Sequence, residues 1–221
     1  MMDIDAARAY WASMTHREKL FFVVANGNAA SFAYDRLEVH REAARAQMSR
    51  IESAIQRSRP DGPEPEGGAS QVEIREYVRR GVEHMRPVLY EVHFYFVAWG
   101  NCRNMLAILT GQPELLEAKK IFDRHRKDFD HYVAGRNSFE HYHDRLPGRS
   151  EEARVKEIRP DPKAGPHRIY SGFKNGMYVH SDGSWDISRA SLKLLEDIVD
   201  ESLAVVHRII DEEFVRKGMS A

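Results

Sequence analysis

The sequence predicts a mainly α-helical bundle of about five to six helices, with a small antiparallel β-hairpin inserted before the last helix. Three observations carry this reading. Long stretches repeat apolar residues at helical spacing. Glycine and proline interrupt those stretches at a few well-separated places. One short region, around Asn175-Gly176, switches to flanking runs of aromatic and β-branched residues, the signature of a tight hairpin.

The elements follow in order. Residues 5–25 place Tyr10, Trp11, Met14, Leu20, Phe21 and Val24 at helical spacing, and Asn26-Gly27-Asn28 ends them. A second helix over 31–57 turns Phe32, Leu37, Met48, Ile51 and Ile55 inward. Its Ala- and Arg-rich middle is good helix material, with Arg41, Arg45 and Arg50 expected on a solvated face. Proline, glycine and acidic residues over 58–70 make a flexible linker loop. Residues 71–109 return to helix, with a break expected near Pro87. Val88 to Leu109 is apolar on most faces and makes the central buried helix, with Phe94, Phe96, Val97 and Trp99 in the core. A further helix runs from Glu114 to Leu146, between Gly111-Gln112-Pro113 and Pro147-Gly148. Residues 147–166 form a loop. The hairpin insertion occupies 167–187, as two strands or a three-stranded meander with a second turn at Asp182-Gly183. Its Tyr170, Phe173, Tyr178 and Trp185 are expected to cover the core. Ser188 or Asp186 caps a last helix over about 189–217. The whole reads as a single helical domain, 1–221.

Composition narrows the functional classes. The net charge of −1 gives no strongly basic surface, which argues against a general nucleic-acid coat but not against an enzyme that meets RNA at one cleft. The single cysteine, Cys102, excludes an internal disulfide and a cysteine-based zinc site and fits a reducing cytoplasm. No basic-then-apolar leader pattern begins the chain, and Val88 to Trp99 is too short and too polar to span a bilayer. No glycine-rich phosphate loop or serine nucleophile elbow is present in the sequence.

The densest chemistry lies in Arg136-Asn137-Ser138-Phe139-Glu140-His141-Tyr142-His143-Asp144-Arg145. Acid, base and anion-binding groups sit there within three helical turns. Extending the apolar stripe of Leu115, Ala118, Phe122, Phe129, Tyr132, Val133 and Phe139 at about 100° per residue places Arg136, Glu140 and His143 on or beside it. Asn137, His141 and Asp144 follow along one flank, with Arg126 and Asp130 earlier on that flank. The polar groups therefore border the buried face, where a cleft or an interface forms. A register-locking Arg136–Glu140 pair, four residues apart, explains the same strip without chemistry.

Spacing alone decides little. With 24 arginines and 11 histidines, chance supplies about one Arg-x4-His, and the chain has three: Arg79/His84, Arg126/His131 and Arg136/His141. Only the third has Asn directly after the Arg and continues as Phe-Glu-His-Tyr-His-Asp-Arg. That string resembles the Arg-Asn-x-x-x-His motif of HEPN domains, helical bundles found in prokaryotic toxins, abortive-infection proteins and CRISPR-associated nucleases. The order of motif helix, loop, hairpin and final helix over about 114–215 resembles small bacterial HEPN-like proteins.

The resemblance implies a metal-independent endoribonuclease of a toxin–antitoxin or phage-defence type, with no cofactor. Arg136 and His141 would be catalytic, with Asn137 orienting the His or the scissile phosphate. Glu140, His143, Asp144 and Arg145 would support them. It implies a homodimer with a composite cleft, an RNA substrate, a cognate antitoxin protein, a cytoplasmic location and no membrane. Two alternatives stay open: a non-catalytic HEPN-like binding or regulatory dimer, and a metal-binding helical-bundle enzyme using Glu140-x-x-His143, for which Asp128-x-x-His131 is the nearest second half.

Overall fold

A computed structural model describes residues 4–24, 27–57, 70–140, 171–174, 176–180 and 183–216. The chain is mainly helical, with a small antiparallel sheet before the last helix. Among the described residues there are seven α-helices: α1 (Ile4–Ser13), α2 (His16–Val23), α3 (Gly27–Arg57), α4 (Gln71–Leu109), α5 (Leu116–Arg124), α6 (Arg126–Glu140) and α7 (Arg189–Arg216). Strands β1 (Ser171–Lys174), β2 (Met177–His180) and β3 (Gly183–Asp186) pair antiparallel in sequence order, so the meander forms rather than a two-stranded hairpin. Gly176 has φ 76°, the left-handed backbone that the β1–β2 turn requires and that glycine adopts without strain. The proposed 58–70 linker lies outside the described residues up to 69, as does the 147–166 loop.

The first helix expected over 5–25 is two helices. Thr15 ends the run: its hydroxyl accepts from the Glu18 backbone N–H at 3.3 Å, and its own N–H donates to Glu18 Oε2 at 2.8 Å. This reciprocal capping box starts a new helix where apolar periodicity alone runs through. Thr15 also holds the Glu18 carboxyl below its ordinary pKa by those same hydrogen bonds. Thr15→Ala is expected to lower stability by about 1 kcal/mol, the usual value of a lost N-cap, as measured by denaturant titration.

The break expected at Pro87 does not occur, and α4 continues through it. The helix expected from Glu114 is divided as well: a 3-10 turn at Pro113–Leu115 precedes α5, and His125 separates α5 from α6. There His125 Nδ1 lies 2.9 Å from Asp128 Oδ2.

The chain divides into two compact units. The first comprises 1–44, 98–130 and 192–221; the second comprises 45–97 and 131–191. In the first, Leu20, Leu37, Trp99, Leu106, Phe129 and Leu195 are buried. The Trp99 and Phe129 rings meet edge-on at 5.6 Å. Cys102 is buried here, which pushes its thiol pKa up to about 12 and leaves it unreactive at neutral pH.

Arg41 corrects the expected solvated face. The buried stripe of α3 runs Ala33, Leu37, Ala44 and Met48. Arg41 falls between Leu37 and Ala44 on that same stripe, four and three residues away. Its side chain is 15% exposed, and it pairs with Glu38 and with Asp200 of α7. Phe32, off the stripe, is exposed beneath the Arg36 guanidinium at 5.5 Å. Ile55, Tyr10, Phe21 and Phe94 are likewise exposed rather than inward.

The second unit is built on aromatic rings. Phe96 is wholly buried, with its centroid 5.9 Å from Tyr132, 5.8 Å from Phe139, 6.2 Å from Tyr178 and 5.9 Å from Trp185. Tyr178 and Trp185 are cross-strand partners and both are buried, so the sheet covers this core as expected. Tyr170 lies outside the described residues. At the start of α7 Ser188 is the cap: its Oγ accepts from the Ala190 N–H at 3.2 Å, while Asp186 Oδ1 accepts from the N–H of Ser188 itself at 2.8 Å, one residue before the helix.

Candidate functional site

The candidate site begins at the last turns of α6. Three contacts of the second unit hold that helix segment. The Trp185 indole N–H donates to the His131 carbonyl at 2.8 Å, and the Tyr132 hydroxyl donates to the Asp186 carbonyl at 2.9 Å. Gly135 lies flat against Phe96 and Trp185, so close that a Cβ built on it would stand 2.8 Å from the Phe96 ring. One turn later Phe139 stacks on Tyr178 with centroids 5.0 Å apart, and it also meets His93 at 5.6 Å. The backbone that carries the motif is thus pinned by rings on the side facing the core.

Arg136 and Asn137 are half-buried beside that packing, and Ser138 is buried. The described part of the polar strip therefore borders the buried face. Arg136 Nη2 donates to Asn137 Oδ1 at 3.1 Å. Adjacent side chains diverge by about 100° on a helix, so this bond needs the full reach of the arginine, curled round the helix surface. It presents the guanidinium and the amide as one unit. A guanidinium carries its N–H donors in a planar fork. The pairing suits recognition of an oxyanion, in which a planar donor fork meets two oxygens.

Glu140 is the last residue of α6; its side chain, and His141, His143, Asp144 and Arg145, lie outside the described residues. The structure therefore brings together Arg136 and Asn137 of the expected site. Of the earlier flank residues, Arg126 and Asp130 are exposed, and Asp130 receives Arg103 at 3.0 Å. Asp128, half of the nearest second metal motif, faces His125 instead of His131. Among the described residues there is no group of three or more His, Cys, Asp and Glu side chains placed to hold a metal ion. Among the described residues, too, no helix is long and apolar enough to cross a membrane.

A second polar cluster, in the first unit, carries no motif in the sequence. A cavity of about 730 Å³ is lined by Thr15, His16, Arg17, Ser31, Tyr34 and Asp35, among others. Beside it the His16 and His207 rings stack at 3.8 Å with 9° between their planes, and Tyr34 Oη lies 2.9 Å from His207 Nε2. Tyr34 and His207 are 173 residues apart, so no local pattern could have joined them. Arg17 Nε pairs with Asp35 Oδ2 at 3.1 Å. Burial lowers the His207 pKa, with His16 adding to this and Asp211 opposing it. Burial also raises the Tyr34 pKa, with Glu38 and Asp35 contributing.

Compared with known proteins, the chain matches no family model, no curated protein and no solved structure.

Proposed function

We propose that this chain is a HEPN-like protein that cleaves RNA without a metal, acting as a cytoplasmic homodimer of the toxin or phage-defence type under the control of an antitoxin partner. The observation that carries the reading is the coupled Arg136–Asn137 pair on the pinned end of α6, with Arg136 five residues before His141. In this reading Arg136 holds the scissile phosphate through paired N–H donors and stabilises the charge that grows on it. His141 takes the proton of the ribose 2′-OH as that oxygen attacks phosphorus. The bond to the 5′-oxygen breaks, and an acid, the second histidine of a dimeric cleft, returns a proton to that oxygen. Asn137 orients the arginine through the bond already described. The second reading is a non-catalytic HEPN-like dimer, favoured by the fact that Asn137 occupies an Arg136 donor, which can serve helix-end rigidity alone.

Incubation of the purified chain with RNA in EDTA tests the proposal. Cleavage is expected to persist in EDTA and to fall to background in His141→Ala and in Arg136→Ala. Equal cleavage by wild type and His141→Ala would assign the activity to a contaminant. Absence of cleavage by a stable dimer would leave the binding module as the reading. A strict monomer on size-exclusion chromatography would remove the composite cleft.

A further inference from the structure

The histidine pair of the first unit lies outside the α6 motif and is separate from the ribonuclease reading. Its geometry is specific. Parallel imidazoles at 3.8 Å tolerate one proton between them but not two, because two like charges at ring-contact distance in a half-buried site repel strongly. Tyr34 adds a second constraint: a neutral His207 accepts from the Tyr34 hydroxyl in its Nδ1–H tautomer, whereas a protonated ring can only donate at Nε2, so from that tautomer protonation turns the hydroxyl round.

We infer that the His16–His207 stack is an acid-released latch, which holds α2 against α7 at neutral pH and lets α2 go in acid, opening the cavity beside it. The surrounding groups agree with that role. From α2, Arg17 and Glu18 flank His16, Arg17 engaged with Asp35 and Glu18 turned back on its own helix cap. From α3, Tyr34 faces His207, with Asp35 and Glu38 near the phenol. From α7, Asp211 acts on His207, and it only partly offsets burial and His16. The Arg17–Asp35 pair contains no imidazole, so α2 remains tethered to α3 while it leaves α7.

The direction with pH follows from linkage. His207 in the closed latch has a pKa below its ordinary value of 6.5. Below pH 6.5 the open state therefore binds the extra proton, and the latch weakens as pH falls toward the lowered value. Above 6.5 its full strength is present.

Hydrogen exchange of the α2 amides in the full chain, corrected for intrinsic rates, reads the latch. As pH falls from 6.5 to about 5 the opening constant of wild type is expected to rise by up to about tenfold per pH unit, the limit for one proton, and to be flat between about pH 7.5 and 6.5. His207→Phe and His16→Phe keep a stacking ring without a charge and are expected to stay protected and flat. His40 also has a pKa lowered by burial and by Arg36, so His40→Gln serves as the control and is expected to retain the wild-type response. A flat wild type, or the same slope in His207→Phe, would overturn the inference. If a Phe variant does not fold, ring titration by NMR in wild type decides instead: His207 must titrate below 6.5. A His207 that titrates at or above that value would equally sink the latch.

Discussion

Phe96→Ala is expected to destabilise the chain by about 3–5 kcal/mol, the largest effect of any single truncation considered for it. Phe96 is wholly buried and meets four rings within 6.2 Å, those of Tyr132, Phe139, Tyr178 and Trp185. Removing it deletes the transfer energy of a phenyl group and also leaves a hole. The hole cannot collapse easily, because its walls are the Gly135 backbone of α6 and rings fixed by the Trp185–His131 and Tyr132–Asp186 hydrogen bonds. Domains are stable by about 5–15 kcal/mol in total, so this loss is a large share. Urea titration should show a lower midpoint at unchanged slope, and thermal melting a fall of roughly 6–20 °C for a chain of this size. A change under about 1 kcal/mol would mean that the aromatic cluster is not packed in solution.

Gly135→Ala is expected to cost about 1–3 kcal/mol through overpacking. In an exposed helix the same change stabilises by roughly 0.5–1 kcal/mol, so the sign itself is diagnostic. Here the new methyl would stand 2.8 and 2.9 Å from Phe96 and 3.0 Å from the Trp185 indole nitrogen. Real Cβ atoms do not approach so closely, so either the rings or α6 must shift. The shift would carry the Arg136–Asn137 turn with it, one residue further on. Combined with Phe96→Ala, the methyl enters the vacated space, and the double variant should be less destabilised than the sum of the two. A stabilised single variant would show that Gly135 of α6 does not touch Phe96 of α4 in solution.

Much of the fold was readable because the relevant forces are local. Asn175-Gly176 predicts its turn since only a residue tolerant of positive φ fits there, and Gly176 has φ 76°. Apolar spacing located α3, α4 and α7, and Ser188 with Asp186 marked the start of α7. The errors have equally physical origins. Phe94 and Phe96 share one apolar run, yet two residues on a helix are about 200° apart, so Phe94 faces out where Phe96 is buried. The α1–α2 junction was legible as Thr-x-x-Glu, but periodicity continued across it and outweighed the cap.

At the candidate site, sequence selected the motif through Asn137 and the residues after it, and it placed Arg136 beside the buried face. The Arg136–Asn137 bond was not legible, because neighbouring side chains on a helix normally diverge and the reach of a long side chain depends on what surrounds it. By itself, the sequence determined most of the helical segments, the turn at Gly176, and which ten residues concentrate acid, base and guanidinium chemistry. Those are properties of spacing and residue type. Tertiary structure alone decided that Arg41 is an inter-helix tie, that Gly135 is a contact point rather than a weak helix residue, and that His16, Tyr34 and His207 form one cluster. Each of those depends on partners distant in sequence, and burial changes what a charge or a ring must do only once the partner is in place.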